Sequence, residues 1–373
     1  MFARLTLALL VSGMLFASAG QANAADYNFT ALGLGAFQGP IGTAYDINNA
    51  GQIATDSYFS SKHTGGVWSN SAYAILDNPG GRSYQGEGIN DAGQVAGYVT
   101  NSSGYRNASV WSNGVITSSL ASLGGNNSDA SAINNAGQVV GGADTTTGTM
   151  HATLWSSNGT VTDLGASSAS YSSAVSINNS GQVVGTLNNH ATLWSNGGTS
   201  RTDLGTLGGT SSGAYGINDA GLIVGNSKNS SGYNHATLWS NGGTTMVDLG
   251  TLTNYGTSFA QAISTSGLIV GKSDVTGVSG THAALWTVLN GVVKGTDLNT
   301  FLDASSVNAG WVLQTAFGIN DAGSIVGQAY NTKTFATDAF VLAAVPEPES
   351  YAMLLAGLGL MGLIARRKKQ NAA

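Results

Sequence analysis

The chain has 373 residues, of which 42% are hydrophobic, 9% charged and none cysteine, with a net charge of −6. The missing cysteines exclude a disulfide framework, a thiolate metal site and a cysteine nucleophile. Residues 25–344 carry 8 Lys and Arg against 17 Asp and Glu, a net of −9 with no basic stripe, so nucleic acid and anionic membrane surfaces are poor partners.

Residues 1–24 read as a secretory signal peptide. Arg4 supplies the positive start, Leu5 to Ala17 the apolar run, and Ala22-Asn23-Ala24 a small-x-small cleavage site ahead of Ala25. Tyr27 to Gly35 then resembles a phrase that recurs later, Asp-Leu-Gly-Thr-Leu, seen at Asp203 and Asp248 and in shorter form at Asp163 and Asp297.

From there the chain repeats itself. The phrase Ile-Asn-(Asn/Asp)-Ala-Gly-Gln-(Val/Ile)-(Val/Ala)-Gly has clear copies beginning at Ile89, Ile133, Ile177, Ile217 and Ile319. Weaker copies begin at Ile47, where Thr55 replaces the last Gly, and at Ile263, which reads Ile-Ser-Thr-Ser-Gly. The spacings between successive copies are 42, 44, 44, 40, 46 and 56 residues, the signature of one repeated supersecondary unit. Asn and Asp tolerate left-handed backbone and Gly supplies positive φ, so the phrase predicts a strand end, a tight turn and a new strand. After a polar loop comes His-Ala-Thr-Leu-Trp at His151, His190 and His235, with His282 a close copy, alternating as a two-faced strand does. Asn-Gly pairs such as Asn113-Gly114 and Asn158-Gly159 then signal hairpins, and the Asp-Leu-Gly strand closes the unit.

Four short strands in about 44 residues predict a propeller blade. The expected fold is all-β: a seven-bladed β-propeller of four-stranded blades over residues 25–344. The last unit lacks its Asp-Leu-Gly strand, and the spare strand at Tyr27 to Leu34 is predicted to complete it and close the ring. The longest spacing holds an insertion, Asn299 to Thr315, in which Thr300 to Asp303 is predicted to form a helical turn.

Residues 345–373 differ in composition. Pro346-Glu347-Pro348 is followed by an apolar, Gly-rich stretch, Tyr351 to Ala365, and then Arg366, Arg367, Lys368 and Lys369. Fifteen residues give roughly 22 Å of helix, a short hydrophobic span whose basic end is predicted to stay cytoplasmic. These parts in this order resemble the PEP-CTERM sorting signal of Gram-negative bacteria. The resemblance implies recognition by an exosortase, transient inner-membrane anchoring, removal of the tail, and delivery to the cell surface or an exopolysaccharide matrix. The repeats, from about Ala31 to Leu342, look like the extracellular HAF repeat family. That resemblance implies location and fold and carries no activity.

Candidate chemistry is sparse. The four repeat-position histidines sit on successive units, where a strand-edge bond to a neighbouring loop explains them better than a shared metal, and no His-x-x-x-His spacing occurs. Trp68, Trp111, Trp155, Trp194, Trp239 and Trp286 recur regularly and are predicted to form inter-blade core. Trp311 stands off the pattern and is the candidate for ligand stacking. Glu87 is the only Glu between residues 25 and 344, so paired carboxylates would have to use Asp. A P-loop, a dinucleotide fingerprint and a nucleophile elbow with its partners are absent. No catalytic, cofactor or metal residue is assigned. The reading is an exported, non-catalytic surface or matrix protein that binds polysaccharide or another protein through its loops. The alternative is a polysaccharide-active hydrolase or lyase using Asp residues.

Overall fold

The computed structural model describes residues 27–34, 41–78, 82–165, 171–253, 255–277 and 280–345. The signal peptide with its cleavage residues, and the sorting segment from Pro346, lie outside them.

The phrase Ile-Asn-x-x-Gly is a turn between two antiparallel strands. In the copy at Ile89, the Asn90 side-chain oxygen accepts the Gln94 amide at 3.0 Å, the Gly93 amide donates to the Asn90 carbonyl at 2.9 Å, and Gly93 takes φ +74°. The final glycine of the phrase has a different reason. A Cβ on Gly97 would collide with the backbone carbonyl of Gln85 on the partner strand, and Gly141, Gly185, Gly225, Gly271 and Gly327 meet the equivalent carbonyl. The first strand is bulged at that point. Every inner strand carries a register shift just before its Ile, for example between Gly86 and Gly88 and between Ala130 and Ala132. A bulge bends a strand and re-aims the extra side chain, and it is the bulge that admits only glycine across from it in six of the copies.

The fold is all-β. Four separate antiparallel sheets of four strands follow the same plan, the first being Gly124–Ile133, Val139–Thr145, Met150–Trp155 and Val161–Asp163. The other twelve strands among the described residues form one sheet that divides into three antiparallel runs of four. Among the described residues those runs are joined as strand ladders only by the single parallel pairs Ile41↔Thr337 and Thr64↔Tyr84. The insertion forms a 3₁₀ turn, Leu298–Phe301, and a helix, Ala304–Asn308. Leu302 between them is extended because Asp303 caps the second helix, accepting the Ser306 amide at 2.7 Å.

Neighbouring units are joined by packing and by hydrogen bonds. Trp111, Trp155, Trp194, Trp239 and Trp286 are at most 2% exposed. The first three donate their indole N–H to a carbonyl of the preceding unit, at Asp77, Ala121 and Leu164. Serine hydroxyls at Ser128, Ser172, Ser212 and Ser258 accept the amides of Ala108, Ala152, Ala191 and Ala236 in the unit before.

A more regular linkage runs through the turns. The second residue of each phrase donates its side-chain amide to the backbone carbonyl of the equivalent residue one unit on: Asn48 to Asn90, Asn90 to Asn134, Asn134 to Asn178, Asn178 to Asn218, Asn218 to Ser264, and Asn320 back to Asn48, all at 2.9–3.1 Å. A second circuit lies just outside it. Backbone amides of Asn49, Asp91, Asn135, Asn179, Thr265 and Asp321 donate to the side chain of the next copy, at 2.8–3.1 Å. Each circuit lacks one link among the described residues. Ser264 has no amide to give to Asn320, and Thr265 has no side-chain carbonyl to receive from Asp219.

The N-terminal strand Tyr27–Ala31 pairs antiparallel with Thr337–Ala344, with Tyr27 opposite Ala344. Asp338, which stands where other units have the repeat histidine or its counterpart, accepts the amides of Gly33 at 2.9 Å and Leu34 at 3.0 Å, and Leu34 is fully buried. Deleting residues 27–34 would open the edge of the last sheet and empty the Leu32–Leu34 pocket. A sharply lower melting temperature is expected, measured by circular dichroism against the intact chain; an unchanged melt would show that the strand closes nothing.

Candidate functional site

The four-strand plan gives the molecule two distinct faces. The Ile-Asn turns and the Asn-Gly hairpins lie on one, here the turn face. The links between second and third strands, and between one unit and the next, lie on the other, the loop face. On the turn face the phrase residues enclose a polar depression of about 200 Å³, lined by Asn48, Asn90, Asn134, Asn178, Asn218 and Asn320 with their neighbours. Its amides and carboxylates are spent on the two circuits, so the depression is built by structure.

Deeper along the axis lies a second cavity of about 210 Å³. Its wall includes the bulged residue from every inner strand: Tyr45, Glu87, Ser131, Val175, Tyr215, Gln261 and Phe317. These positions stand two residues before the phrase Ile, and no two neighbouring units share a residue type there. The Tyr45 and Phe317 rings lie 5.8 Å apart, tilted by 43°. Asp46 beside them accepts the amides of Ile47 and Ile89, at 2.8 and 3.0 Å, joining the first two units. Burial pushes its carboxyl up to about 6 despite those bonds.

Charge gathers on one side of this axis. The Arg106 guanidinium binds the Asp129 carboxylate at 2.6 Å and lies 4.2 Å over the Tyr98 ring. Tyr98 donates to Gln85 at 3.0 Å, and His63 meets Asp56 at 2.6 Å. Glu87 stands among them with no hydrogen bond to its carboxyl among the described residues. Burial, and then the Asp129 carboxylate, push Glu87 up to about 8 against the pull of Arg106. Burial likewise raises Asp129, whose Oδ1 is buried without a hydrogen-bond partner. The upward shift favours the protonated form of Glu87, a hydrogen-bond donor facing a cavity.

The repeat histidines have a different fate. His151, His190, His235 and His282 each place Nδ1 2.7–2.9 Å from the Asp of their own unit's Asp-Leu-Gly phrase, at Asp163, Asp203, Asp248 and Asp297. Each pair ties the third strand to the outer one within a unit, rather than to a neighbouring loop. Among the described residues no group of three or more His, Asp or Glu is arranged to hold a metal ion. Trp311 is half-buried, with its ring 5.9 Å from Phe29 of the closing strand.

The loop face carries features that the repeat reading passed over. Tyr105 (40% exposed), Tyr171 (60%), Tyr233 (53%), Tyr255 (80%) and Phe335 (77%) all project from loops on this face. These are all the exposed tyrosines and phenylalanines among the described residues; the turn face has none. The signal lay in the sequence as Ser-Ser-Gly-Tyr at Ser102 and Ser230, a loop ending in an aromatic that no strand position requires.

Glu87 gives a pH test. A carboxyl raised in the folded state adds stability below its unfolded value of 4.5 and loses it as pH rises toward about 8. Glu87→Gln removes that loss. Urea denaturation from pH 5 to 8.5 should show the variant gaining on the wild type as pH rises, then levelling off. A difference that does not change with pH would contradict a half-buried Glu87 held in its protonated form.

Residues 344–369 match the PEP-CTERM protein-sorting motif, which marks an exported, exosortase-sorted protein. A search of curated proteins finds no match. Among solved structures, a gluconolactonase from Xanthomonas campestris is similar at 10% identity and TM-score 0.44, over 87% of this chain and 92% of that one. TolB from Acinetobacter baumannii is similar at 11% identity and TM-score 0.41, over 79% of each chain. A puromycin hydrolase mutant is similar at 13% identity and TM-score 0.51, over 86% of this chain and 55% of that one, so this chain spans about half its length. At such identities the likeness is one of fold, and the fold is an all-β, β-propeller-like one. No helix of the described residues is long and apolar enough to cross a membrane.

Proposed function

We propose that this chain is a seven-bladed propeller of extracellular HAF-type repeats that works as a non-catalytic binding module of the cell surface or exopolysaccharide matrix. Residues 1–24 direct export, residues 25–344 form the propeller, and residues 345–373 are the sorting segment presented to an exosortase. The ligand is a polysaccharide of uncharged or amine-bearing sugars, held at the loop face.

One observation carries this reading: the exposed aromatics of the described residues gather on one face and no fold requirement puts them there. Aromatic rings standing in solvent present a flat apolar surface with a polar tip, the chemistry that stacks on sugar rings and bonds their hydroxyls. The net charge of −9 over residues 25–344 disfavours polyanions, which selects against acidic polysaccharides as well as nucleic acid. Trp311, beside the closing strand, is a further stacking position in this proposal.

The hydrolase or lyase alternative draws on the axial acids. Asp129 is engaged by Arg106 and Asp56 by His63, which leaves Glu87 as the acid free to act on a ligand. Its failure or success is decided by product analysis on whatever glycan binds.

Replacing Tyr171, Tyr233 and Tyr255 together with Ala should leave the melting temperature nearly unchanged, because all three are exposed. Binding to the best hit of a glycan array should weaken at least about tenfold, each aromatic contact contributing about 0.5–1.5 kcal/mol. A triple variant that binds as the wild type does would remove the loop face from the account.

A further inference from the structure

The last strand runs from the loop face to the turn face and ends there at Ala344, hydrogen-bonded between Ile325–Asn331 on one side and Tyr27–Ala31 on the other. The sorting motif begins at that same residue. The chain therefore leaves the fold on the turn face with almost no spacer. Six residues, 345–350, separate the strand from the apolar stretch that starts at Tyr351. Fully extended, the seven steps from Ala344 to Tyr351 reach at most about 25 Å, at about 3.6 Å per step. The strand Thr337–Ala344 spans seven steps, about 23 Å at about 3.3 Å each, and the loops around Thr334 stand beyond its start. The leash at full stretch is used up by the height of the sheet, before those loops are passed.

We infer that while the chain is held in a bilayer by its sorting segment, its turn face lies toward the membrane and its aromatic loop face is held outward. The inference rests on reading residues 351–365 as the tether. It gives the two faces separate tasks. The turn face, whose polar groups are consumed by the two hydrogen-bond circuits, sits against the headgroups and offers nothing to a polymer. The loop face, whose residues differ from unit to unit, meets the extracellular side before and after the tail is removed. Binding of matrix polymer and access of the processing enzyme then occur at opposite ends of the molecule and do not compete. The N-terminal strand agrees with this geometry, since Tyr27 enters the sheet opposite Ala344, at the same end.

The absence of native cysteine makes the test clean. Single cysteines replace Asn28, exposed on the closing strand at the exit end, and Thr334, exposed on a loop of the same unit at the far end. The full-length precursor, labelled at either site with a fluorophore, is reconstituted into phosphatidylethanolamine–phosphatidylglycerol vesicles whose headgroups carry a spin-label quencher. The expected result is several-fold stronger quenching for Asn28→Cys than for Thr334→Cys, and the same emission from both in detergent. Protein that floats with the vesicles but is quenched equally at both sites, or more at Thr334→Cys, overturns the orientation. Protein that fails to float with the vesicles overturns the tether reading, and the orientation with it.

Discussion

The structure depends on a hydrogen bond made six times: a buried asparagine amide reaching the backbone carbonyl of the equivalent residue one unit along. A unit of four short strands cannot cover both faces of its own sheet. It must be set at a fixed angle against its neighbours, and apolar packing alone tolerates some sliding. The asparagine link sets the spacing at the axis, because donor and acceptor are both fixed by the same turn. The side-chain oxygen of the asparagine accepts its own turn's amides, so one residue shapes the turn and joins it to the next. That double use explains why the phrase tolerates Asn or Asp at its third position but changes its second only once, at Ser264.

The bulge follows from the same constraint. Each inner strand inserts a residue just before its Ile, which bends the strand into the turn and points the extra side chain at the axis. Six final glycines of the phrase exist to accommodate the bulge carbonyl. The first unit, with Thr55 at this place, is the exception, and its hydroxyl donates to the Gly66 carbonyl at 3.1 Å. The outcome is a wall whose framework repeats while its seven lining residues vary. Glu87 sits in that wall with its charge suppressed by burial and by Asp129.

Much of this was legible in the sequence. The period, the turn chemistry, the strand order and the pairing of the spare N-terminal strand with the last unit all follow from recurring phrases. The role of the final glycine did not, because a period shows where residues recur and not where a strand is bulged. The axial wall was missed for the same reason: its members share a position and no residue type. Glu87 stood out as a solitary acid, but only the fold brings it beside Asp129 and Arg106, 42 and 19 residues further along the chain. The histidines were expected to bond a neighbouring loop, yet their partner is the aspartate of their own unit. The two phrases occur 12–15 residues apart, and hairpin register alone would have joined them. The aromatic loops lay in the variable stretches, which a search for repeats discards.

Framework and variation therefore fall on opposite faces, and the tail leaves from the framework side. The central claim is that the asparagine circuit, and not packing alone, holds the units in place. Its seam makes the claim directly measurable. Ser264→Asn supplies the missing amide opposite the Asn320 carbonyl. The account predicts a gain of about 1 kcal/mol in the free energy of unfolding by urea denaturation, the ordinary net worth of one intramolecular hydrogen bond. A variant no more stable than the wild type would contradict it.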